Sequence, residues 1–427
     1  MMVRELEVWL GVNHVGTLSI ANGRRPIFSY REDWLKRTDA VALSYSLPLQ
    51  PQAFDDDQTL PFFAGLLPEG RPRELIARQF QVSRQNDFVL LDHLGGECAG
   101  AVTLLEPSQS LPALIQETDV QWLSDQELIQ VLDELPRRPM LAGTDGLRLS
   151  LAGAQDKLPV VVDGDRIGLP LNGAPSSHIL KPAISSVADS VTNEGFCLAL
   201  AEMLGFKPAR SRIHHVMDRQ FLLVERYDRI KDNAGQLIRL HQEDFCQALG
   251  VMPEQKYQNE GGPSLADCFQ LLRRVAHPSA IHVLRLWDMV IFNALIGNHD
   301  AHGKNFSLLY SSKLSILAPA YDLLSTAVYP NLTIKMAMKI GSKYKFSEVE
   351  ARHWDQLAIS CGLSATQARK RILQLAKRLP DAARQLQLDL RFSQHPVVKE
   401  IVEVIEKRSN LTIRRLTTMK SEDAAGE

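Results

Sequence analysis

The stretch Ile296 to Leu309, IGNHDAHGKNFSLL, crowds two histidines, an aspartate, a lysine and an asparagine into the positions from His299 to Asn305. Four residues separate Asp300 from Asn305, and seventeen residues beyond Asn305 the run LAPAYDLLS brings a second acid, Asp322. These residue types suit one kind of chemistry. A hard divalent cation such as Mg²⁺ takes oxygen ligands, and one amide oxygen plus one carboxylate, Asn305 and Asp322, leave coordination positions open for phosphate and water. Asp300 then remains to orient an attacking hydroxyl. Phosphoryl transfer asks for little more, because it depends on positioning and charge neutralisation rather than on a covalent machine. Two other readings stand beside this one. The stretch is a solvated polar turn after a helix, or His299 and His302 ligate zinc, although no third ligand is evident nearby and no H-E-x-x-H helix exists.

Such groups must be held by a scaffold, and the order of elements upstream supplies one. SLAGAQDK, Ser150 to Lys157, is a small-residue loop; LPVVV (158–162) predicts a strand, DGD (163–165) a tight hairpin turn and RIGLP its partner strand. SHILK (177–181) predicts a third strand that ends on Lys181, and NEGFCLALAEMLG a helix opened by Asn193, with Glu194 in its first turn, and closed by Gly205. FLLVERYDR (221–229) predicts another strand, and from about 240 the chain is mostly helical. AIHVLRLWDMVIFNALIG (280–297) is apolar nearly all round, as a central buried helix ending on Gly297 would be, whereas 365–379 and 397–408 predict amphipathic surface helices. This is the order of parts in a kinase-like fold, and Asp300 and Asn305 have the spacing of the catalytic Asp and metal-binding Asn of an H-R-D-x-x-x-x-N loop. The D-x-H-x-x-N form, with His302 and Lys304 inside it, resembles lipid-kinase-like and other atypical kinases. SLAGAQDK is neither G-x-G-x-x-G nor a P-loop; Ala152, Gly153 and Ala154 let backbone N–H groups approach phosphate with Lys157 adding charge, or they form a plain surface turn. Glu194 is a partner for Lys181 or an acid favoured by the helix dipole alone.

The rest of the chain sets bounds. LEVWLGVNHVGTLSI (6–20) alternates around an Asn13-His14 turn and predicts a hairpin; the module continues through VALSYSL and a helical PRELIARQF and returns at CAGAVTLL. EPSQSLP (106–112) marks a linker with a boundary near 108, and 115–140 predicts a helix with Ser124 and Asp125 as candidate caps. A net charge of −2 over 427 residues gives no global field to draw nucleic acid or an anionic membrane, so such contacts need a local patch. Cys98, Cys197, Cys246, Cys268 and Cys361, odd in number and without C-x-x-C spacing, argue against a disulfide framework or structural zinc and read as buried thiols in a reducing cytosol. Acids stand where a signal peptide has its apolar run, and no eighteen consecutive residues are apolar, so neither export nor a membrane span is expected.

SLAGAQDK, HILK, NEGFCLALAEMLG, VERYDR, HQEDFCQALG, YQNEGGP, GNHDAHGKNFS and PAYDLLS resemble, in order and spacing, the HipA family of serine/threonine kinase toxins from bacterial toxin–antitoxin systems. FFAGLLPEG and GGECAGAV resemble that family's N-terminal subdomain, and the likeness spans about residues 5 to 380. It implies an α+β, bilobal protein-kinase-like fold with a small β-rich ATP lobe and a helical C-lobe, preceded by a small β-rich N-terminal subdomain. On this chain that divides into an N-terminal subdomain 1–108, a helical linker 109–147, an N-lobe 148–230, a C-lobe 231–420 and a flexible tail 421–427. The resemblance further implies cytoplasmic, Mg²⁺-ATP-dependent phosphorylation of a protein serine, with glutamyl-tRNA synthetase the expected target, causing growth arrest and persistence. It implies a HipB-like helix-turn-helix antitoxin dimer that neutralises the kinase and co-represses the operon, operator DNA being reached mainly through that partner, and no membrane. Carried over by residue, Asp300 is the catalytic acid, Asn305 and Asp322 hold Mg²⁺, and Lys181 contacts the ATP phosphates. Ala152, Gly153, Ala154, Gln155, Asp156 and Lys157 match the phosphate loop, and Glu225, Arg226 and Tyr227 the adenine hinge. His302, Gly303, Lys304 and Tyr321 complete the nucleotide pocket, and Ser150 matches an autophosphorylated serine. Readings of other classes are a small-molecule or lipid phosphotransferase using the same loop, and a non-catalytic co-regulator that only binds nucleotide, against which Asp300, Asn305 and Asp322 together speak.

Overall fold

In the computed structural model, which describes residues 3–21, 26–109, 111, 119–311 and 314–423, the alternating amino terminus forms two antiparallel strands, β1 (Val3–Leu10) and β2 (Asn13–Ala21). The turn falls at Gly11-Val12 and not at the expected Asn13-His14, because Gly11 takes the positive φ of 60° that a two-residue hairpin requires. Asn13 and His14 therefore open β2, opposite Leu10 and Trp9. With β3 (Ile27–Tyr30) and β4 (Val102–Leu105) they make a four-stranded sheet of order β3-β2-β1-β4. VALSYSL forms no strand beyond an isolated Ser44–Leu47 bridge: the Ser44 hydroxyl is drawn to the Glu243 carboxylate, and the Tyr30 hydroxyl donates to the Leu47 carbonyl at 2.5 Å.

The second sheet holds β5 (Val120–Leu123), β6 (Leu158–Asp163), β7 (Arg166–Pro170), β8 (His178–Pro182), β9 (Ser211–Val216) and β10 (Arg219–Glu225) in the order β5-β7-β6-β8-β10-β9. The expected hairpin closes on Gly164-Asp165, with Asp163 opposite Arg166. The stretch expected to be helical from 115 instead supplies β5, held by the Arg166 guanidinium 4.0 Å from the Trp122 ring; residues 115–118 of that stretch, and 110 and 112 of the linker, lie outside the described residues. Gly168 permits this edge pairing, since a Cβ there would stand 2.7 Å from Val120 Cγ1. Helix follows only at Asp125–Glu134, closed by a capping box between Ser124 and Glu127.

Two compact units result, each built from three stretches: unit 1 from 1–182, 212–254 and 307–315, unit 2 from 183–211, 255–306 and 316–427. Unit 1 is the β-rich one. Its apolar core is continuous from Leu6, Val8 and Leu18 of the first sheet through Phe62, Phe88 and Leu91 to Leu158, Val160, Leu180 and Leu223 of the second. Unit 2 is helical, as the C-lobe of a kinase-like fold requires. Its central helix, Ser279–Ile296, buries Leu286, Trp287, Ile291 and Leu295 against the helices Leu265–Val275, Ala365–Gln387 and Pro396–Asp423. It is the one helix among the described residues long and apolar enough to match a bilayer, and it serves here as a core helix. The helix expected to open at Asn193 begins at Ser190; Asn193 and Glu194 lie inside it, and Asn193 caps nothing because its amide is exchanged with the Ser325 backbone at 2.8 and 3.1 Å. The five cysteines are buried free thiols.

Candidate active site

The central helix ends because Gly297 turns left-handed, φ 81°, at a point where a Cβ would stand 2.6 Å from Ala327 Cβ. The chain then enters the loop that sequence reasoning singled out. Asn298 organises it. Its Oδ1 accepts from the Asp300 backbone N–H at 3.0 Å, while its Nδ2 donates to Asn293 Oδ1 at 2.8 Å and to the Asp322 carbonyl at 3.3 Å. A second tie runs from the Tyr321 hydroxyl to the Lys304 carbonyl at 2.7 Å. Gly303, Lys304 and Asn305 form one 3₁₀ turn between these ties. Asp322 itself holds φ 51°, a left-handed conformation that costs a non-glycine residue free energy and persists where surroundings over-determine it. Asp300, Asn305 and Asp322, scattered over 23 positions of sequence, thus belong to two segments joined by hydrogen bonds.

The Asp300 carboxylate is exposed and accepts at Oδ1 from the Tyr257 hydroxyl at 2.6 Å; the Tyr257 ring meets His302 edge-on at 5.1 Å. Its second oxygen can take the hydrogen of an incoming hydroxyl. His299 turns inward instead. Nδ1 donates to the Thr333 carbonyl at 2.9 Å, and Nε2 faces Arg408 Nη2 at 2.6 Å. Burial and then the Arg408 charge push the imidazole down to about 4, so it is neutral. With both ring nitrogens engaged, His299 has none left for the zinc pairing with His302.

The remaining candidate residues lie in unit 1. In the loop Ala152 to Lys157, Gly153 has φ 108° and its carbonyl accepts from the Glu69 N–H at 3.0 Å. Lys157 Nζ donates to the Ala152 carbonyl at 2.6 Å, and a Cβ on Gly153 would stand 2.7 Å from that ammonium. The loop is folded about its own cation with room only for backbone. Burial raises the Asp156 carboxyl, against the pull of Arg71 and Lys157. Lys181 stands on β8 opposite Leu222 of β10, and Glu194 belongs to unit 2.

Glu225 ends β10, and Arg226 turns its side chain into the interior of unit 1. Its N–H donates to the Ser177 carbonyl, and its guanidinium is buried between Glu97 (3.0 Å) and Asp228 (2.7 Å). Arg229 reaches the same two carboxylates at 2.8 and 3.0 Å, and Arg239 stands 3.4 Å from Glu97. Burial alone would raise the Glu97 carboxyl; the guanidiniums of Arg229, Arg239 and Arg226 outweigh it and hold the group down at about 2. The Arg226 guanidinium is thus committed to the Glu97 and Asp228 carboxylates, and the hydroxyl of neighbouring Tyr227 bonds the Gln242 side chain. Ser150 is fully buried, with Oγ donating to the Leu66 carbonyl at 2.8 Å and N–H to the Glu97 carbonyl at 3.0 Å. Sequence reasoning missed Asn298, Tyr257 and Glu97. The motifs GNHDAHGKNFS, YQNEGGP and GGECAGAV contain these three residues, but nothing in them assigned the residues a role.

Comparison with known proteins agrees with this architecture. Residues 6–105 match the HipA N-terminal domain, and residues 149–383 match the HipA-like C-terminal domain. A putative kinase of Sinorhizobium fredii is 45% identical over 386 residues, 90% of this chain and 91% of the relative. The serine/threonine-protein kinase toxin HipA of Shewanella oneidensis is 29% identical, with 88% of each chain covered. The solved complex of Shewanella oneidensis HipA with HipB and its operator DNA superposes with a TM-score of 0.80 at 27% identity, covering 96% of both chains. With both domains matched in order, and with relatives named as kinases along most of its length, the chain belongs to the HipA family of kinases.

Proposed function

We propose that this chain transfers the γ-phosphoryl group of Mg²⁺-ATP to a serine hydroxyl of a protein, as the toxin of a toxin–antitoxin pair. The observation that carries the reading is the Asn298 side chain, which ties the Asp300 backbone to the Asp322 backbone and so holds a base and a cation ligand in fixed relation. The donor set fits the metal: Asn305 and Asp322 offer one amide and one carboxylate oxygen, hard ligands suited to Mg²⁺. Bound Mg²⁺ would neutralise charge on the phosphates. The Ala152 to Lys157 loop fits phosphate, because Gly153 lets backbone approach where a side chain would collide and Lys157 supplies a positive charge. Lys181 would contact the same phosphates, and Glu225 and Tyr227 the adenine. Asp300, steadied by Tyr257, would accept the hydrogen of the attacking hydroxyl.

The likeness to HipA, solved with HipB and operator DNA, supports a HipB-like antitoxin as partner and operator DNA reached through it. Family resemblance supports glutamyl-tRNA synthetase as acceptor, autophosphorylation at Ser150, and a cytoplasmic site of action. The test is transfer of label from γ-labelled ATP with Mg²⁺, offering proteins in one reaction and small alcohols in another. Asp300→Asn should remain folded and lose at least about a thousandfold in rate, the scale of removing a group needed in the transition state. Equal transfer by wild type and variant, or label entering only small alcohols, overturns the reading. Asp322→Ala should weaken Mg²⁺-ATP binding far more than binding of metal-free ATP, measured by calorimetry.

A further inference from the structure

The C-terminal helix, Pro396–Asp423, lies beyond the matched stretch 149–383, and it sends a cation into the interior of unit 2. Arg408 donates from Nη1 to the Ala294 carbonyl at 2.7 Å, in the last turn of the central helix, and from Nη2 to His299 Nε2 at 2.6 Å. Its guanidinium carbon stands 4.5 Å from the centre of the Phe346 ring. No carboxylate among the described residues pairs with it, and burial lowers it to about 10, so it stays protonated at neutral pH. A buried guanidinium without a carboxylate is a poor way to fill space, since an apolar side chain of similar volume is usually as stable or more so. What the arrangement secures is His299. The His299 N–H donates to Thr326 Oγ1 at 2.8 Å, its carbonyl accepts from the Ala337 N–H at 2.8 Å, and Nδ1 donates to Thr333. Arg408 takes the fourth hydrogen-bonding position, Nε2, and the neutral imidazole supplies the acceptor that bond needs.

We infer that Arg408 is a positioning residue: by gripping His299 it fixes the adjoining Asp300 peptide, and with it the direction of the Asp300 carboxylate. The inference rests on the reading of Asp300 as the group that orients the attacking hydroxyl. It makes the C-terminal helix a working part of the catalytic loop, one that the family's matched C-terminal domain does not include. A merely structural Arg408, closing the central helix through Ala294, would behave differently, and the two roles separate experimentally.

The experiment uses the full chain with Arg408→Met, His299→Ala, His299→Gln and the double variant Arg408→Met/His299→Ala. Each is measured for melting temperature, kcat and KM for ATP per folded molecule, and hydrogen exchange of the peptide spanning 297–306. Arg408→Met should melt within about 3 °C of wild type, because it removes an unpaired buried charge. Its kcat should fall about 10- to 100-fold, the scale of a small misplacement of a reacting group, with KM for ATP held within about threefold. Exchange of the loop amides should quicken about tenfold or more. His299→Gln, which keeps an acceptor, should retain most activity, and the double variant should be no slower than Arg408→Met alone. Loop exchange unchanged by Arg408→Met overturns the inference, as does a lowered melting temperature with kcat per folded molecule intact. A wild type that transfers no phosphate to any acceptor defeats the kinase reading alone; loop exchange still decides whether Arg408 grips the loop.

Discussion

Replacing Glu97 by Gln should weaken unit 1 by several kcal/mol, although the change removes no volume. Glu97 faces Arg226, Arg229 and Arg239 in a pocket where its side chain is 2% exposed. Its carboxyl is held at about 2 against an ordinary value of 4.5. A depression of that size corresponds to about 3 kcal/mol of folding free energy at neutral pH. An independent route gives the same scale: removing one partner of a buried ion pair costs about 3 to 5 kcal/mol, because a buried charge is left uncompensated. Glu97→Gln leaves Asp228 as the cluster's one remaining carboxylate against three guanidiniums. The sign with pH follows. A carboxyl lowered on folding contributes stability that is present above its unfolded value and lost as pH falls through its folded value. Urea unfolding at pH 7 should therefore place the variant about 3 to 5 kcal/mol below wild type, with the gap narrowing as pH drops below about 4.5. Glu97 comes from the N-terminal family domain and the arginines from the C-terminal one, so the loss should appear as one lowered transition for unit 1. A loss under about 1 kcal/mol, or a gap that widens in acid, refutes the reasoning.

Glu243 should behave oppositely: burial pushes its carboxyl up to about 7 despite donors at Ser44, Tyr310 and Tyr45, so the stability it contributes is complete below its unfolded value of 4.5 and lost as pH rises through 7. Unfolding free energies at pH 5 and pH 8 should move by up to about 3 kcal/mol in favour of Glu243→Gln over that interval, and parallel curves would exclude the effect. Tyr257→Phe should lower kcat roughly tenfold, the loss of one hydrogen bond to a charged group, without changing KM for ATP or melting temperature; steady-state kinetics check this. Phosphate on Ser150 has no room while Oγ faces the Leu66 carbonyl, so the modified loop must leave its seat and ATP affinity must fall, whereas Ser150→Ala should bind ATP as wild type does. Mass spectrometry followed by nucleotide titration of the separated forms decides it, and undiminished affinity in the phosphorylated form sinks the idea.

What the sequence made legible was local. The β6–β7 hairpin, the Ser124 cap and the Gly297 stop each depend on a few neighbouring residues, and each stands where expected. The Asp300 to Asn305 loop could be singled out for the same reason, since the reading proposed for it rests on residue types and spacing within one short stretch. Elements decided by distant partners were not. Local cap rules set a helix start at Asn193, but its amide serves Ser325, 132 residues away, and the helix runs through it. β5 reads as part of a helix until Trp122 finds Arg166. Tyr257 is 43 residues from Asp300, and Arg229 is 132 from Glu97. No periodicity encodes such pairs, because they follow from packing.

The three-stretch construction of each unit bears on how the chain is made. Unit 1 closes only when Ser307–Ser311 pairs with Gln242–Asp244, and unit 2 closes only with its last helix. At translation rates of about 5 to 20 residues per second, roughly 6 to 25 s pass between emergence of β8 and of the strand that completes unit 1. A ribosome halted at Phe306 has already made Asp300 and Asn305, yet neither unit is whole. Nascent fragments therefore carry the Asp300–Asn305 loop without the last helix that seats it through Arg408.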